Sequence, residues 1–193
     1  MHRTDPVRWG IVGTGVIAAE FARVFPIVKS ATLAAIASRD EVRAEAFARE
    51  HSAAWFHGSY EALFADPDID AVYIATPHSH HATNTIAALR AGKAVLCEKP
   101  LTPTLTEAQA VVDVARQTGG YLAEGMWTYF LPAIQTARRW VADGRIGRVL
   151  RIHADFGYPQ PYDPASRFYD PALAGGALLD MGVYPVALAW LFL

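Results

Sequence analysis

Cys97 is the only cysteine in 193 residues, so no intrachain disulfide can form. The opening MHRTDPVRWG also lacks the apolar stretch of a secretory signal. Together these two absences make the cytoplasm the default compartment. Runs of like charge are missing as well: 17 basic side chains face 19 acidic ones, a net charge of −2. That balance gives no electrostatic footprint for nucleic acid or a membrane surface, and leaves a small neutral or weakly anionic substrate open. No apolar run approaches the roughly 20 residues needed to span a bilayer, although the terminal AVALAWLFL stops before its length can be judged and reads better as an interrupted helix. Internal repeats and low-complexity linkers are absent too, which excludes solenoids and disordered tails.

What the sequence does have is apolar mass, with 52% hydrophobic and 19% charged residues, enough for one full domain and part of another. β-Branched runs alternate with Ala-rich amphipathic stretches: Val7 to Val12 then Val16 to Phe25, Ala31 to Ala37 then Glu41 to Glu50, Ala71 to Ala75 then Ala82 to Ala91. Ala94 to Cys97, a helix over Leu105 to Thr118 and Tyr121 to Ala123 continue the series, with a short strand near Ala54 to Phe56 and a helix near Tyr60 to Phe64. Strands without polar alternation are buried on both faces, so the pattern predicts an α/β, doubly wound parallel sheet covered by helices. Thr104 with Glu107 marks a capping box, and Ser38 with Glu41 could form another.

The pattern changes near Gly125, which divides a dinucleotide-binding Rossmann domain, 1–125, from the start of a second domain, 126–193. Val149 to Phe156 alternates as a half-buried strand should, after a turn at Gly144 to Gly147. A proline-rich loop over Tyr158 to Pro171 then leads through Gly175-Gly176 into a final helix.

The first strand runs directly into Gly13-Thr14-Gly15-Val16-Ile17-Ala18, a match to the G-x-G-x-x-G/A fingerprint at a strand-to-helix junction. Gly13 permits the turn, Gly15 lets a pyrophosphate approach the backbone, and N–H groups at the helix start bind the anion. The second strand ends in Ser38-Arg39-Asp40, where such domains meet the adenosine ribose. A hydroxyl donor and a guanidinium suit a 2′-phosphate better than a 2′-hydroxyl, so NADP is favoured over NAD. Read structurally, the same three residues are a helix cap, a solvated charge and a first-turn acid.

Ligands in these sheets bind beyond the carboxyl ends of the strands. Those ends carry Thr76-Pro77-His78-Ser79-His80-His81 and Glu98-Lys99-Pro100. The three histidines have no cysteine or acidic partner at ligand spacing, so no metal site is expected; they would cap the next helix or line the cleft. Pro100 keeps Lys99 out of helix and fixes where its side chain leaves the sheet. On the last helix Asp180 and Tyr184, four residues apart, share a face, and Pro185 should kink the helix just after them.

GTG near the start, TPHSHH, CEKP and GGALLDMGVYP occur in this order across essentially the whole chain, which resembles the Gfo/Idh/MocA oxidoreductase family. With EGMWTYFLPAI and RFYDPALAGG, it is most similar to the branch of dimeric dihydrodiol dehydrogenase, NADP-dependent xylose dehydrogenase and glucose-fructose oxidoreductase. The resemblance implies a C-terminal α/β domain with an open sheet that often makes a homo-oligomer. It implies that Thr76, Pro77, His81, Glu98 and Lys99 belong to the cofactor cleft with Gly13, Thr14, Gly15, Val16, Ile17, Ser38 and Arg39. Catalysis would fall to Lys99, Tyr184 and Asp180, and substrate binding to Trp127, Arg167 and Asp180.

The expected chemistry is hydride transfer between NADP and a CH–OH group of a sugar, cyclic polyol or trans-dihydrodiol, with Tyr184 exchanging the hydroxyl proton and Lys99 as the assisting cation. A non-catalytic nucleotide-binding module, either a redox sensor or a partner subunit, is the alternative, but it would need neither proton-transfer group. A Rossmann-like methyltransferase is a third reading; the acidic residue that usually precedes its glycine loop is missing from Val7 to Val12. With one strand expected after residue 125, the sequence reads as a fragment, able to bind NADP and inactive alone.

Overall fold

The computed structural model describes residues 5–193, in two compact units that divide between Glu124 and Gly125. In the first, six parallel strands lie in the order β3-β2-β1-β4-β5-β6: β1 Val7–Val12, β2 Ala31–Ala37, β3 Trp55–His57, β4 Ala71–Ile74, β5 Ala94–Cys97 and β6 Leu122–Glu124. The helices are α1 Val16–Ala22, α2 Glu41–Glu50, α3 Tyr60–Ala65, α4 His81–Arg90 and α5 Leu105–Thr118. The strand order reverses between β1 and β4, and that reversal opens a crevice at the carboxyl ends of the strands.

Successive residues explain why the sheet is covered on both sides. Val12, Val72 and Ile74 pack with Leu63, Phe64, Ala88, Leu89 and Val114 of α3, α4 and α5. Their neighbours Ile11 and Tyr73 point the other way, onto Ala18, Ala22, Phe47 and Ala48 of α1 and α2. A pleated strand sends alternate side chains to opposite faces, so unbroken apolar runs are what a two-sided burial demands.

Helix ends follow local chemistry. Thr104 caps α5 in a complete capping box with Glu107, and Gly119 ends that helix at φ 63°. The cap of α2 corrects the expectation for Ser38. Asp40 is the N-cap, its carboxylate accepting from the Arg43 N–H, while the Ser38 hydroxyl accepts from the Asp40 N–H at 3.2 Å. A carboxylate two residues closer to the helix is the better acceptor for its first N–H groups.

The second unit begins with a 3-10 turn, Trp127–Phe130, and α6, Pro132–Ala142. Gly144 and Gly147 turn the chain at φ 70° and 69°. The strand expected over Val149 to Phe156 is not there: among the described residues this segment has no ladder partner. Alternation alone does not hold a lone strand, because its backbone groups gain nothing over water until a second strand pairs with them. A 3-10 turn, Pro171–Leu173, and a π turn, Leu178–Gly182, lead into α7, Val183–Phe192. Pro185 therefore sits in the first turn of α7 and not in mid-helix. The wide turn before it lies where its ring would otherwise meet the carbonyl of Met181. Counted from Pro171, the run to Phe192 is 22 residues and meets the length and hydropathy of a bilayer-crossing helix, a longer apolar run than the sequence reading allowed; core helices of soluble proteins meet the same criteria. It carries a buried carboxylate, Asp180, bonded to Arg167.

Candidate active site

The glycine loop leaves β1 at the reversal of strand order. Gly13 has φ 105°, and a Cβ there would lie 2.8 Å from the Ala75 carbonyl at the end of β4, so only glycine fits. Gly15 is different. Its φ is −85°, and a Cβ would meet no atom within 4 Å. The protein's own packing does not require glycine at this point. No side chain caps α1 and its first turn holds no acid, so no side chain of its own first turn answers the partial positive charge of its leading N–H groups. Val16 and Ile17 stand exposed on that turn, and Thr14 is half-buried.

At the end of β2, Ser38 is buried and Arg39 exposed. The Ser38 hydroxyl, having accepted from Asp40, keeps its own proton to donate.

Beyond β4, the Thr76 hydroxyl accepts from the Asn84 amide at 3.3 Å, and Pro77 begins a 3-10 turn over His78–His80. His80 is the N-cap residue of α4, but its side chain makes no capping hydrogen bond. His81 is wholly enclosed, its Nε2 at 2.9 Å from the Thr76 carbonyl oxygen and its Nδ1 at 2.8 Å from that of Pro100. His81, expected in the cofactor cleft, thus faces the Thr76 and Pro100 carbonyls of the two loops with its ring nitrogens and has no exposed surface. Burial, and to a smaller degree the charge of Lys99, lowers its pKa from the ordinary value. No group of three or more His, Cys, Asp or Glu side chains could hold a metal among the described residues.

Beyond β5, Lys99 is half-buried and its bond to Pro100 is cis. Its N–H donates to Oε2 of Glu98, whose Oε1 accepts from the Tyr73 hydroxyl at 2.5 Å. Glu98 accordingly supports the lysine's backbone. Glu124, at the end of β6, accepts the Leu101 N–H at 2.7 Å. Neither Glu124 nor Tyr73 stood out in the sequence. An acid at the carboxyl end of a strand was the available signal, and it would have paired Glu124 with Glu98. Cys97, buried within β5, has its thiol pushed up to about 12 by burial.

In the second unit Tyr184 lies at the start of α7, where its hydroxyl oxygen accepts the Trp127 indole N–H at 2.9 Å. Trp127 and Phe156 meet its ring edge-on, at centroid distances of 6.1 and 5.1 Å. Trp127, placed by the resemblance among the substrate-binding residues, thus also bonds Tyr184. Phe156 was missed, because the run holding it read as a strand. Asp180 falls in the π turn, so it does not stand one α-turn before Tyr184 as the spacing implied; its carboxylate accepts from Arg167 at 3.3 Å. The Arg167 guanidinium also lies 4.1 Å from the centre of the Phe168 ring. The structure thus brings Arg167 to Asp180 and Trp127 to Tyr184.

Residues 7–126 match the model of the Oxidoreductase family, NAD-binding Rossmann fold, and residues 134–193 match the GFO/IDH/MocA C-terminal domain. The chain belongs to the Gfo/Idh/MocA oxidoreductase family. It is 40% identical over 206 residues to D-xylose 1-dehydrogenase (NADP(+)) of Hypocrea jecorina, an alignment covering 96% of this chain and 52% of that one. The trans-1,2-dihydrobenzene-1,2-diol dehydrogenase of Sus scrofa is likewise 40% identical over 180 residues, covering 92% of this chain and 53% of the relative. KijD10, a 3-ketoreductase from Actinomadura kijaniata solved with NADP and TDP-benzene, superposes with a TM-score of 0.90 at 35% identity, over 97% of this chain and 57% of its own. The chain thus spans about half the length of the curated relatives it matches.

Proposed function

We propose that this chain is the dinucleotide-binding part of a cytoplasmic NADP-dependent dehydrogenase acting on a CH–OH group of a sugar, cyclic polyol or trans-dihydrodiol. The observation that carries the reading is Gly15, a glycine the protein's own packing leaves unexplained, at the start of an uncapped helix and at the reversal of strand order. Residues 13–17 fit a pyrophosphate, and Ser38 with Arg39 fits a 2′-phosphate better than an acidic side chain would. Bound there, NADP would supply the hydride acceptor or donor.

The chain's own residues would handle the proton. Tyr184 is assigned as the group that takes the substrate hydroxyl proton and returns it in reduction. Because the indole N–H of Trp127 only donates, the Tyr184 oxygen is the acceptor of that bond, and its own proton is directed away from Trp127. Lys99 is assigned as the cation that assists. Asp180 would orient Arg167, whose guanidinium suits substrate oxygens. The relatives' printed activities support the sugar and dihydrodiol classes, and the full-length protein is expected to be a homo-oligomer with no nucleic-acid or membrane partner.

The test is a panel of aldoses, cyclic polyols and trans-dihydrodiols, read by NADPH absorbance on the gene product at the length of its relatives, with NAD in parallel. Tyr184→Phe should lower turnover roughly a thousandfold while NADP affinity holds. Unchanged turnover would remove Tyr184 from the chemistry, and a preference for NAD would remove the 2′-phosphate assignment.

A further inference from the structure

Three polar backbone groups around Lys99, on two peptide planes, have defined partners. The N–H of Lys99 itself goes to Glu98. The next two contacts belong to one peptide plane: its carbonyl oxygen, on Pro100, lies 2.8 Å from His81 Nδ1, and its N–H, on Leu101, donates to Glu124 at 2.7 Å. One partner comes from the first residue of α4 and the other from the last residue of β6, so elements on either side of β5 grip the two polar ends of the same amide.

A peptide unit is planar and has two polar handles; with both held, rotation about its flanking bonds is suppressed. The plane in question starts one residue after Lys99. The ring of His81 also reaches the Thr76 carbonyl at 2.9 Å, which ties the loop after β4 to the loop after β5 through one enclosed side chain. The neutral ring carries one N–H; placed on Nδ1 it donates to the Pro100 carbonyl, and Nε2 gains a proton toward Thr76 only in the imidazolium form.

We propose that His81 and Glu124 are positioning residues for Lys99, acting by fixing both polar groups of the Pro100–Leu101 peptide. The inference rests on the assignment of Lys99 to the dinucleotide site, and goes beyond it by naming what holds the lysine in place. Neither residue is asked to touch a ligand.

Lys99 is one of only three lysines, with exposed Lys29 and buried Lys93, which makes it observable by itself. In the full 193-residue chain, lysines labelled as 13C-dimethylamines are to be followed by NMR, with Lys99→Arg assigning the signal. Glu124→Ala and His81→Ala should each move the Lys99 signal toward the solvent-averaged position of Lys29, leaving Lys29 and Lys93 where they were. Glu124→Gln, which keeps an acceptor oxygen, should restore the wild-type position. NADPH affinity, from fluorescence titration, should fall about fivefold in Glu124→Ala, the worth of one ordinary hydrogen bond. It should fall no further when that change is added to Lys99→Ala. An unmoved Lys99 signal in Glu124→Ala overturns the proposal, as do affinity losses that add in full. Glu124 is exposed, so that variant decides the matter if His81→Ala does not fold. Failure of the unaltered chain to bind NADPH would instead defeat the cofactor reading, and the lysine signal would still decide whether the peptide is held.

Discussion

The two ends of the sheet treat charge in opposite ways. At the amino end, charged side chains satisfy one another and the backbone. Arg8 bonds Asp70 at 3.1 Å and Asp68 at 2.5 Å, and Lys93, nearly enclosed, donates to the carbonyls of Asp66 and Ile69 at 2.5 and 2.8 Å. At the carboxyl end, polar side chains are turned on the loops: Glu98, His81 and Glu124 hold peptide groups around Lys99. One end spends its cations on the fold. The other shapes the loops that carry Gly15, Lys99 and their neighbours.

The contrast is broken most severely at Lys93. Lys93→Met leaves two carbonyls without their donor in a site that already lowers the lysine's pKa by burial. A loss of about 3 kcal/mol is expected in urea unfolding, with NADPH affinity of the folded fraction unchanged. A change in affinity would show that the two ends are coupled. Gly15→Ala tests the other side. Its Cβ meets no protein atom, so the urea midpoint should stay within about 0.5 kcal/mol of wild type. Dinucleotide affinity should fall tenfold or more, about 1.4 kcal/mol, because the methyl occupies the line of approach. If stability falls and affinity does not, the glycine is structural.

The smallest effect lies with His81. Its folded pKa is below the unfolded value of 6.5, so below that value the unfolded chain binds more protons than the folded one. The contribution is complete above pH 6.5 and is lost as pH falls, at no more than about 1.4 kcal/mol per pH unit for one proton. His81→Asn should flatten that part of the pH–stability profile; an unaltered slope would place the proton elsewhere.

Much of the first unit was legible in advance because its signals are local. Ala31–Ala37, Glu41–Glu50, Ala94–Cys97 and Leu105–Thr118 fall where period and capping residues put them. Gly13 and Gly15 likewise look alike in a fingerprint, and the fold alone separates them, since the Ala75 carbonyl that excludes a side chain at Gly13 arrives from β4, 62 residues away. The partners of Lys99 were illegible for the same reason. His81 and Glu124 come from 18 residues before it and 25 after it, and no spacing rule joins them. In the second unit, Val149 to Phe156 has the pattern of a strand without a ladder, which shows that pairing is a property of two segments. Asp180 and Tyr184 were placed on α-helical spacing, and a π turn changed it.

Cys97 sits two residues before Lys99 with its thiol held protonated by burial. Peroxide and disulfide reagents attack the thiolate, and at neutral pH this side chain offers almost none. The sulfur in β5 is therefore expected to react slowly with oxidants and thiol reagents while the chain is folded, and readily once urea exposes it.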